Sequence, residues 1–410
     1  MRRAALLTAL LVVLAGCGGV ADVAVTEPPD DPTPEPTDTP TTDVQVIGGD
    51  LPFDATTAFE RVLNLTGERV NGPVVYVESP AAMERSILDS RRSGFRAALG
   101  VNPPPRNSSE RLRLAAYAPA DGNAVHVNEA ILANGARAEV TVVHEFVHTV
   151  QFQRGWHESV WSIDPAFDAD GISYDRQLTY YLVIEGAATV VENEYRSQFA
   201  TQSAGGDSLR ASYRNASASG RLNLARYVLG AEYVAERTDS LRDLAEVHRH
   251  PPKSSEQVLH NSTDPVEHLL VTTTDTGNWT ERGRDRQGEL FLRIALRTEL
   301  NRSTAVDAAH GWGEDRRITF ERGTRTGTAW VLHWDDSANA TEFETAFERY
   351  LEAKATRNDG VWSQTDGTAS YRVVEATDET TVVFLGEESF VRTATVEESR
   401  EDVFDIEVER

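Results

Sequence analysis

Two histidines four residues apart, His144 and His148, are the most informative feature of this 410-residue chain. Side chains at positions i and i+4 project from the same face of a helix, so both imidazoles can bind one metal ion, and zinc suits this ligand pair. Glu145 lies beside that face, where its carboxylate can accept a proton from water without itself binding the metal. The motif therefore predicts hydrolytic zinc chemistry.

The residues around the motif predict a helix with one buried face. Apolar side chains recur at helical spacing, at Val140, Val143, Val147 and Val150. His144, His148 and Gln151 form a neighbouring stripe. The alternative interpretation is a helix whose two histidines are solvated or belong to a core.

A catalytic zinc site needs a third protein ligand and one open position. The metzincin pattern is excluded because Gln151 and Arg154 stand where its glycine and third histidine would be. His157 follows Gly155 near the end of the predicted helix, and we interpret it as a loop histidine. The third ligand is therefore expected further along the chain.

Glu185 is the best candidate for the third ligand. It lies in a predicted long helix from Asp175 to Phe199, between Ile184 and Gly186, and an acid among apolar and small residues is not expected to face water. Glu192 shares its face and is a candidate to orient a ligand histidine. The alternative is that both acids solvate a surface helix.

This combination resembles the gluzincins, zinc peptidases in which one helix supplies two histidines and the next supplies a glutamate. The resemblance rests on His144 to His148 followed by Glu185, and covers about residues 110 to 260. The chain also resembles secreted haloarchaeal surface lipoproteins, through the segment PPKSSEQVLH from Pro251 to His260. The resemblance implies a zincin-like fold, a zinc cofactor and a peptide or protein substrate.

Gluzincins also use a donor that stabilises the oxyanion formed at the scissile carbonyl. His260, Tyr227 and Tyr233 are the candidates, with His260 first because it ends the segment shared with the lipoproteins; each also has a structural interpretation. In zincins an extended peptide lies along a sheet edge. We therefore predict that Ala124 to Asn128 is the substrate edge, and a plain strand is the alternative.

The N-terminus predicts export and lipid attachment. Arg2 and Arg3 precede an apolar run from Ala4 to Ala15, and Cys17 follows. The run is short for a membrane span, so we expect a signal peptide over residues 1–17 and an anchor at Cys17 on the outer face of the cytoplasmic membrane. An ordinary signal peptide is the alternative. Cys17 is also the only cysteine, which excludes disulfides and thiolate metal sites.

Composition narrows the remaining functions. Residues 18–47 are rich in proline, threonine and acids and predict a disordered stalk. The net charge of −25 argues against nucleic acid as a partner, and the near absence of lysine suggests a protein adapted to high salt. Sequons for glycosylation stand at Asn64, Asn107, Asn215, Asn261, Asn278, Asn301 and Asn339.

The helix and strand patterns predict an α+β protein in two parts. Residues 48–284 would form the zincin-like core, with a mixed sheet, the histidine helix and the glutamate helix; residues 285–410 would form a smaller α+β layer packed on it. A further helix is predicted from Ala82 to Leu99. The predicted function is a lipid-anchored zinc metallopeptidase, and the alternative is a non-catalytic surface glycoprotein on a zincin scaffold.

Overall fold

The computed structural model describes residues 40–86, 93–103, 111–162, 171–199, 206–400 and 402–409. Helices and several sheets alternate within these ranges, which confirms the predicted α+β class. None of the helices in these ranges is long and apolar enough to cross a membrane. The predicted signal peptide, the lipid attachment at Cys17 and most of the predicted stalk lie outside the described residues.

The N-terminal layer is a sheet of four strands in the order β1-β2-β6-β5. The first three strands are parallel and β5 pairs antiparallel with β6. The elements of this layer are β1 (Gln45–Ile47), α1 (Ala55–Thr66), β2 (Val74–Glu78), β3 (Glu84–Ser86), α2 (Gly94–Ala98), β4 (Arg111–Arg113), β5 (Ala116–Tyr117) and β6 (Ala124–Asn128).

Two predictions for this layer were wrong. The stalk ends earlier than residue 47, because Gln45–Ile47 pairs with β2. The described parts of the span from Ala82 to Leu99 do not form one helix: they are a turn and the strand β3 at its start, and at its end the five-residue α2, which begins after Ser93, whose side chain accepts the Arg96 N–H. The strand predicted from Ala124 to Asn128 is confirmed as a plain strand rather than an edge, because it lies between β2 and β5 in the described sheet.

Seven helices follow, and two of them carry the histidine motif and Glu185. They are α3 (Gly135–Gln153), α4 (Trp156–Trp161), α5 (Tyr174–Phe199), α6 (Gly206–Asn215), α7 (Ala218–Arg237), α8 (Leu244–Arg249) and α9 (Ser255–His260). The Asn134 side chain starts α3 by accepting the Arg137 N–H at 3.1 Å. At the other end of α3, Gly155 takes a φ of +67°, which reverses the chain into α4.

Helix α5 is buried on nearly all sides through its middle turns, from Leu182 to Thr189. Such a helix must pack against several elements, and α5 contacts α3, α7 and α9. It meets α7 at two glycines: a Cβ on Gly186 would lie 2.4 Å from the carbonyl carbon of Gly230. The two backbones therefore touch directly, one residue from Glu185.

The C-terminal region is built on an antiparallel sheet of seven strands in the order β11-β12-β13-β14-β10-β9-β8, beside a smaller sheet ordered β15-β16-β7. The strands are β7 (Leu270–Thr273), β8 (Thr280–Asp285), β9 (Trp312–Arg322), β10 (Arg325–Trp334), β11 (Ala355–Asn358), β12 (Val361–Gln364), β13 (Ser370–Thr377), β14 (Thr380–Gly386), β15 (Ala394–Arg400) and β16 (Val403–Val408). The helices are α10 (Gly288–Leu296), α11 (Arg302–Asp307), α12 (Ser337–Glu352) and α13 (Glu388–Thr393).

The C-terminal sheet begins before the predicted boundary at residue 285, because β8 pairs with β9. It shares a hydrophobic core with the preceding region. Phe95 of α2 packs against Phe291 of α10 and Trp330 of β10, with ring centroids 5.6 and 5.3 Å apart. Buried residues of α3 and α5 belong to the same core as these residues of α10 and β10.

Candidate metal centre

Helices α3 and α5 bring His144, His148 and Glu185 together in the interior. One oxygen of Glu185, Oε2, lies 3.2 Å from Nε2 of His144 and 3.5 Å from Nε2 of His148. Ligand atoms bound at about 2.1 Å to a tetrahedral metal ion are about 3.4 Å apart. The three side chains are therefore spaced as ligands of a single ion, and this buried group could hold a metal ion.

Both imidazoles are oriented through their other nitrogen. Nδ1–H of His144 donates to Oε2 of Glu192 at 3.0 Å, and Nδ1–H of His148 donates to Oε1 of Gln151 at 2.7 Å. The Gln151 amide is itself fixed, since its Nε2–H donates to the Ile184 carbonyl at 2.9 Å. These contacts leave each Nε2 facing Glu185. A hydrogen bond from the other ring nitrogen is the usual support for a metal-binding histidine.

The donor atoms are almost completely removed from water. His144, His148 and Glu185 are 4%, 1% and 0% exposed. Nε2 of His148, which faces Glu185, is buried without a hydrogen-bond partner, and such an atom is costly unless something else satisfies it. Two imidazole nitrogens and a carboxylate oxygen fit a divalent metal ion of the zinc type.

The charges within the group are tightly coupled. Burial acts to lower the pKa of His144, but hydrogen bonds to Glu185 and Glu192 and the charges of both carboxylates outweigh it and raise that pKa to about 10. Burial acts to raise the pKa of Glu185, but the two histidines hold it well below its usual range. Glu185 is therefore ionised, as a metal ligand must be.

Glu145 lies beside the three donors and is 1% exposed. Burial raises the pKa of its carboxyl group, while the histidines and the Ala118 backbone N–H act in the opposite direction. Ala118 directly follows β5, so Glu145 contacts the sheet as well as the helix that carries the motif. Its Oε1 has no hydrogen-bond partner. A carboxylate in this position can exchange protons with a water at the metal.

Helix α7 adds two side chains to the group. The Tyr227 ring lies 6.0 Å from the His144 ring, so this oxyanion candidate is at the site. Nη1 of Arg226 is 3.7 Å from Oε1 of Glu185, and its guanidinium lies over the rings of Tyr181 and Tyr227. Sequence reasoning missed Arg226, although a lone cation in the apolar stretch from Leu222 to Leu229 is a usable signal.

The other two oxyanion candidates lie elsewhere. Nε2 of His260 is 3.0 Å from Oε2 of Glu289, beside Arg293. Its helix, α9, is held at the start of α5 because the Ser255 N–H donates to Asp175, ten residues before Glu185 and about 15 Å away along the helix. Tyr233 contacts the guanidinium of Arg237. The described contacts of His260 are with Glu289, Arg293 and His310 and not with the three ligand candidates, so its role at the site stays a prediction.

His157 is not a loop residue. Gly155 turns the chain into α4, and His157 in the first turn of that helix is 5% exposed. Its ring stacks on Phe152 and lies 6.3 Å from the ring of His148, while Nδ1 contacts the Tyr180 hydroxyl. Helical spacing alone did not predict that His157 lies near His148, because this position depends on the left-handed conformation of Gly155.

A comparison with known protein families concerns the C-terminal region. Residues 274–397 match a protein family described as a domain of unknown function, DUF8575. The match covers the whole seven-stranded sheet and excludes α3, α5 and α7, so it carries no information about the metal centre. The chain matches no curated protein significantly in sequence.

Proposed function

We propose that this chain is a zinc metallopeptidase of the gluzincin type, with His144, His148 and Glu185 as zinc ligands. The observation that carries the proposal is the buried carboxylate of Glu145, with one oxygen unpaired, beside three donors at ligand spacing. A zinc ion bound there supplies a Lewis acid and makes water acidic near neutral pH. Two histidines and one carboxylate leave a coordination position for the reaction.

The protein side chains have two roles in hydrolysis, proton transfer and positioning of the ligands. Glu145 accepts a proton from the attacking water while the water oxygen bonds to the carbonyl carbon of the peptide. It then gives that proton to the nitrogen as the C–N bond breaks, so water is added across the bond and no other reactant is needed. Glu192 and Gln151 hold the two imidazoles in place during both steps.

We further propose that the enzyme acts outside the cytoplasmic membrane, anchored through a lipid on Cys17. The proposal rests on the N-terminal sequence, in which Cys17 follows a basic and then an apolar segment. A Cys17→Ser variant should leave the membrane fraction, and full retention in that fraction would contradict the anchor.

A second candidate function is a non-catalytic surface glycoprotein that keeps a structural metal. The observation in its favour is the burial of the group, in which no ligand is more than 4% exposed. The two functions differ in what the metal does: a peptidase binds zinc and turns over peptides, whereas a structural site binds zinc and does not.

The deciding experiment compares the wild type with Glu145→Gln and Glu185→Gln in high salt. We expect one zinc ion per chain in the wild type and in Glu145→Gln, and loss of zinc in Glu185→Gln. Peptide cleavage should fall about 10²–10⁴-fold in Glu145→Gln, the usual contribution of a general base. The exposed Glu158, changed to Gln, is the control and should keep both properties. Bound zinc with no cleavage in any variant would favour the second candidate.

A further inference from the structure

His157 is a buried polar side chain whose Nε2 has no hydrogen-bond partner. Leaving such an atom unpaired in the interior is costly, so it is not expected to persist unless another group uses it. Its ring lies 6.3 Å from that of the metal-ligand candidate His148. The unpaired atom therefore belongs to a ring that neighbours one of the candidate metal ligands.

The elements that hold His157 are those that carry the ligands. Its ring stacks on Phe152 of α3 with centroids 3.6 Å apart, and its Nδ1 contacts the hydroxyl of Tyr180 on α5, five residues before Glu185. Burial lowers the pKa of His157 to about 2, so the imidazole is neutral and carries one proton. When the phenol donates to Nδ1, that proton is on Nε2, and His157 presents a fixed N–H donor.

We propose that His157 donates a hydrogen bond from Nε2 to the carbonyl oxygen of the peptide, on which negative charge develops during hydrolysis. This proposal rests on the proposed peptidase function and adds to it the residue that stabilises the oxyanion. A preorganised donor in a dry site is effective because it needs no rearrangement as the charge develops. Tyr180 is a positioning residue, since its hydroxyl selects the tautomer of His157.

The test uses the full-length zinc protein with His157→Phe, His157→Gln and Tyr180→Phe, and Tyr227→Phe for comparison. We expect His157→Phe to keep its zinc and lose about 10²-fold in kcat, and His157→Gln, whose amide can still donate, to recover part of the loss. His333→Phe, a change at a buried histidine of β10 far along the chain, is the control and should keep wild-type turnover.

A binding measurement separates this proposal from the peptidase proposal. Acetohydroxamate binds zinc through oxygens, so it should gain a hydrogen bond from His157 even if no peptide substrate is known. Its Kd should rise about tenfold in His157→Phe, as expected for one lost hydrogen bond to a charged oxygen. An unchanged Kd would overturn the role of His157, whereas bound hydroxamate without peptide turnover in the wild type would overturn only the peptidase function.

Three further outcomes would also overturn the proposal. Loss of zinc in His157→Phe would make this residue a ligand rather than a donor. A parallel fall in Tm and turnover, repeated in Tyr180→Phe, would make the pair structural. A fall in turnover in Tyr227→Phe with normal turnover in His157→Phe would assign the oxyanion donor to Tyr227.

Discussion

The two histidines of the metal centre are supported by partners of different charge. The charged carboxylate of Glu192 accepts from Nδ1–H of His144, whereas the neutral amide of Gln151 orients His148 without adding charge. A third contact, from Arg226, attracts the outer oxygen of Glu185 and leaves the inner one for the metal. The charges around the ligands therefore favour binding of the metal through one carboxylate oxygen.

A partly buried carboxylate of α9, Glu256, gives a prediction about pH. Burial raises its pKa to about 9, and neighbouring carboxylates act in the same direction. The folded protein therefore binds more protons than the unfolded chain between about pH 4.5 and 9, and this group lowers stability as the pH rises through that range. The carboxylates that add to the effect are Glu289, Asp335, Asp175 and Glu267.

Glu256→Gln should remove this penalty. At pH 8 we expect its Tm to exceed that of the wild type by about 2–4 °C, the shift that ~1 kcal/mol gives in a large domain. At pH 4, where the wild-type group is already neutral, the two proteins should melt together. Thermal melts at both pH values check this, with the exposed Glu352→Gln as control. An equal gain at both pH values would mean that ionisation is not the cause.

At the scale of elements, the contact between α5 and α7 determines where Glu185 lies. A Cβ on Gly230 would be 2.1 Å from the Leu182 carbonyl oxygen, which is far inside van der Waals contact. Only two facing glycines allow this approach, and the approach brings Arg226 and Tyr227 to the metal group. Separation of the two helices would therefore change the position of Glu185 relative to Arg226 and Tyr227.

Gly230→Ala should disrupt this contact and the metal centre together. We expect a loss of about 1–3 kcal/mol in the free energy of unfolding from overpacking, and at least tenfold weaker zinc binding because α5 must shift. Denaturant melts and competition with a chelator measure the two effects. Gly135→Ala at the start of α3, where the added Cβ would meet only Pro52 at 3.4 Å, is the matched control. Normal zinc affinity in Gly230→Ala would show that the contact does not position Glu185.

Local sequence patterns were sufficient to predict the two helices that carry the candidate metal ligands. The motif with its apolar spacing predicted α3, and the small residues around Glu185 predicted its burial in α5. Arg226 and His157 were not predicted as site residues, because their positions depend on a glycine contact between distant helices and on a reversal at Gly155. Of the three oxyanion candidates, the structure places Tyr227 beside His144, whereas His260 contacts Glu289, because its helix is held at the start of α5.

At the scale of the whole molecule, charge is the dominant feature. The chain has 65 acidic and 40 basic residues, which gives the net charge of −25. Lys354 contributes little to the surface, since its Nζ donates to the Ala98 carbonyl at 2.8 Å in a partly buried position. Exposed pairs such as Arg282 with Glu321 are worth at most about 1 kcal/mol. Repulsion among carboxylates therefore outweighs attraction at low salt.

We expect stability to rise with salt for this reason. The distance over which charges act falls from about 10 Å in 0.1 M salt to about 3 Å in 1 M salt. Repulsion among carboxylates is stronger in the compact folded state than in the extended chain, so KCl should stabilise the folded state by screening it. The Tm, measured by calorimetry, should increase steadily across that range. A neutral osmolyte of equal osmotic strength is the control, because it stabilises by exclusion without screening. An equal rise with both would assign the effect to exclusion, and a Tm independent of KCl would mean that surface repulsion does not limit this fold.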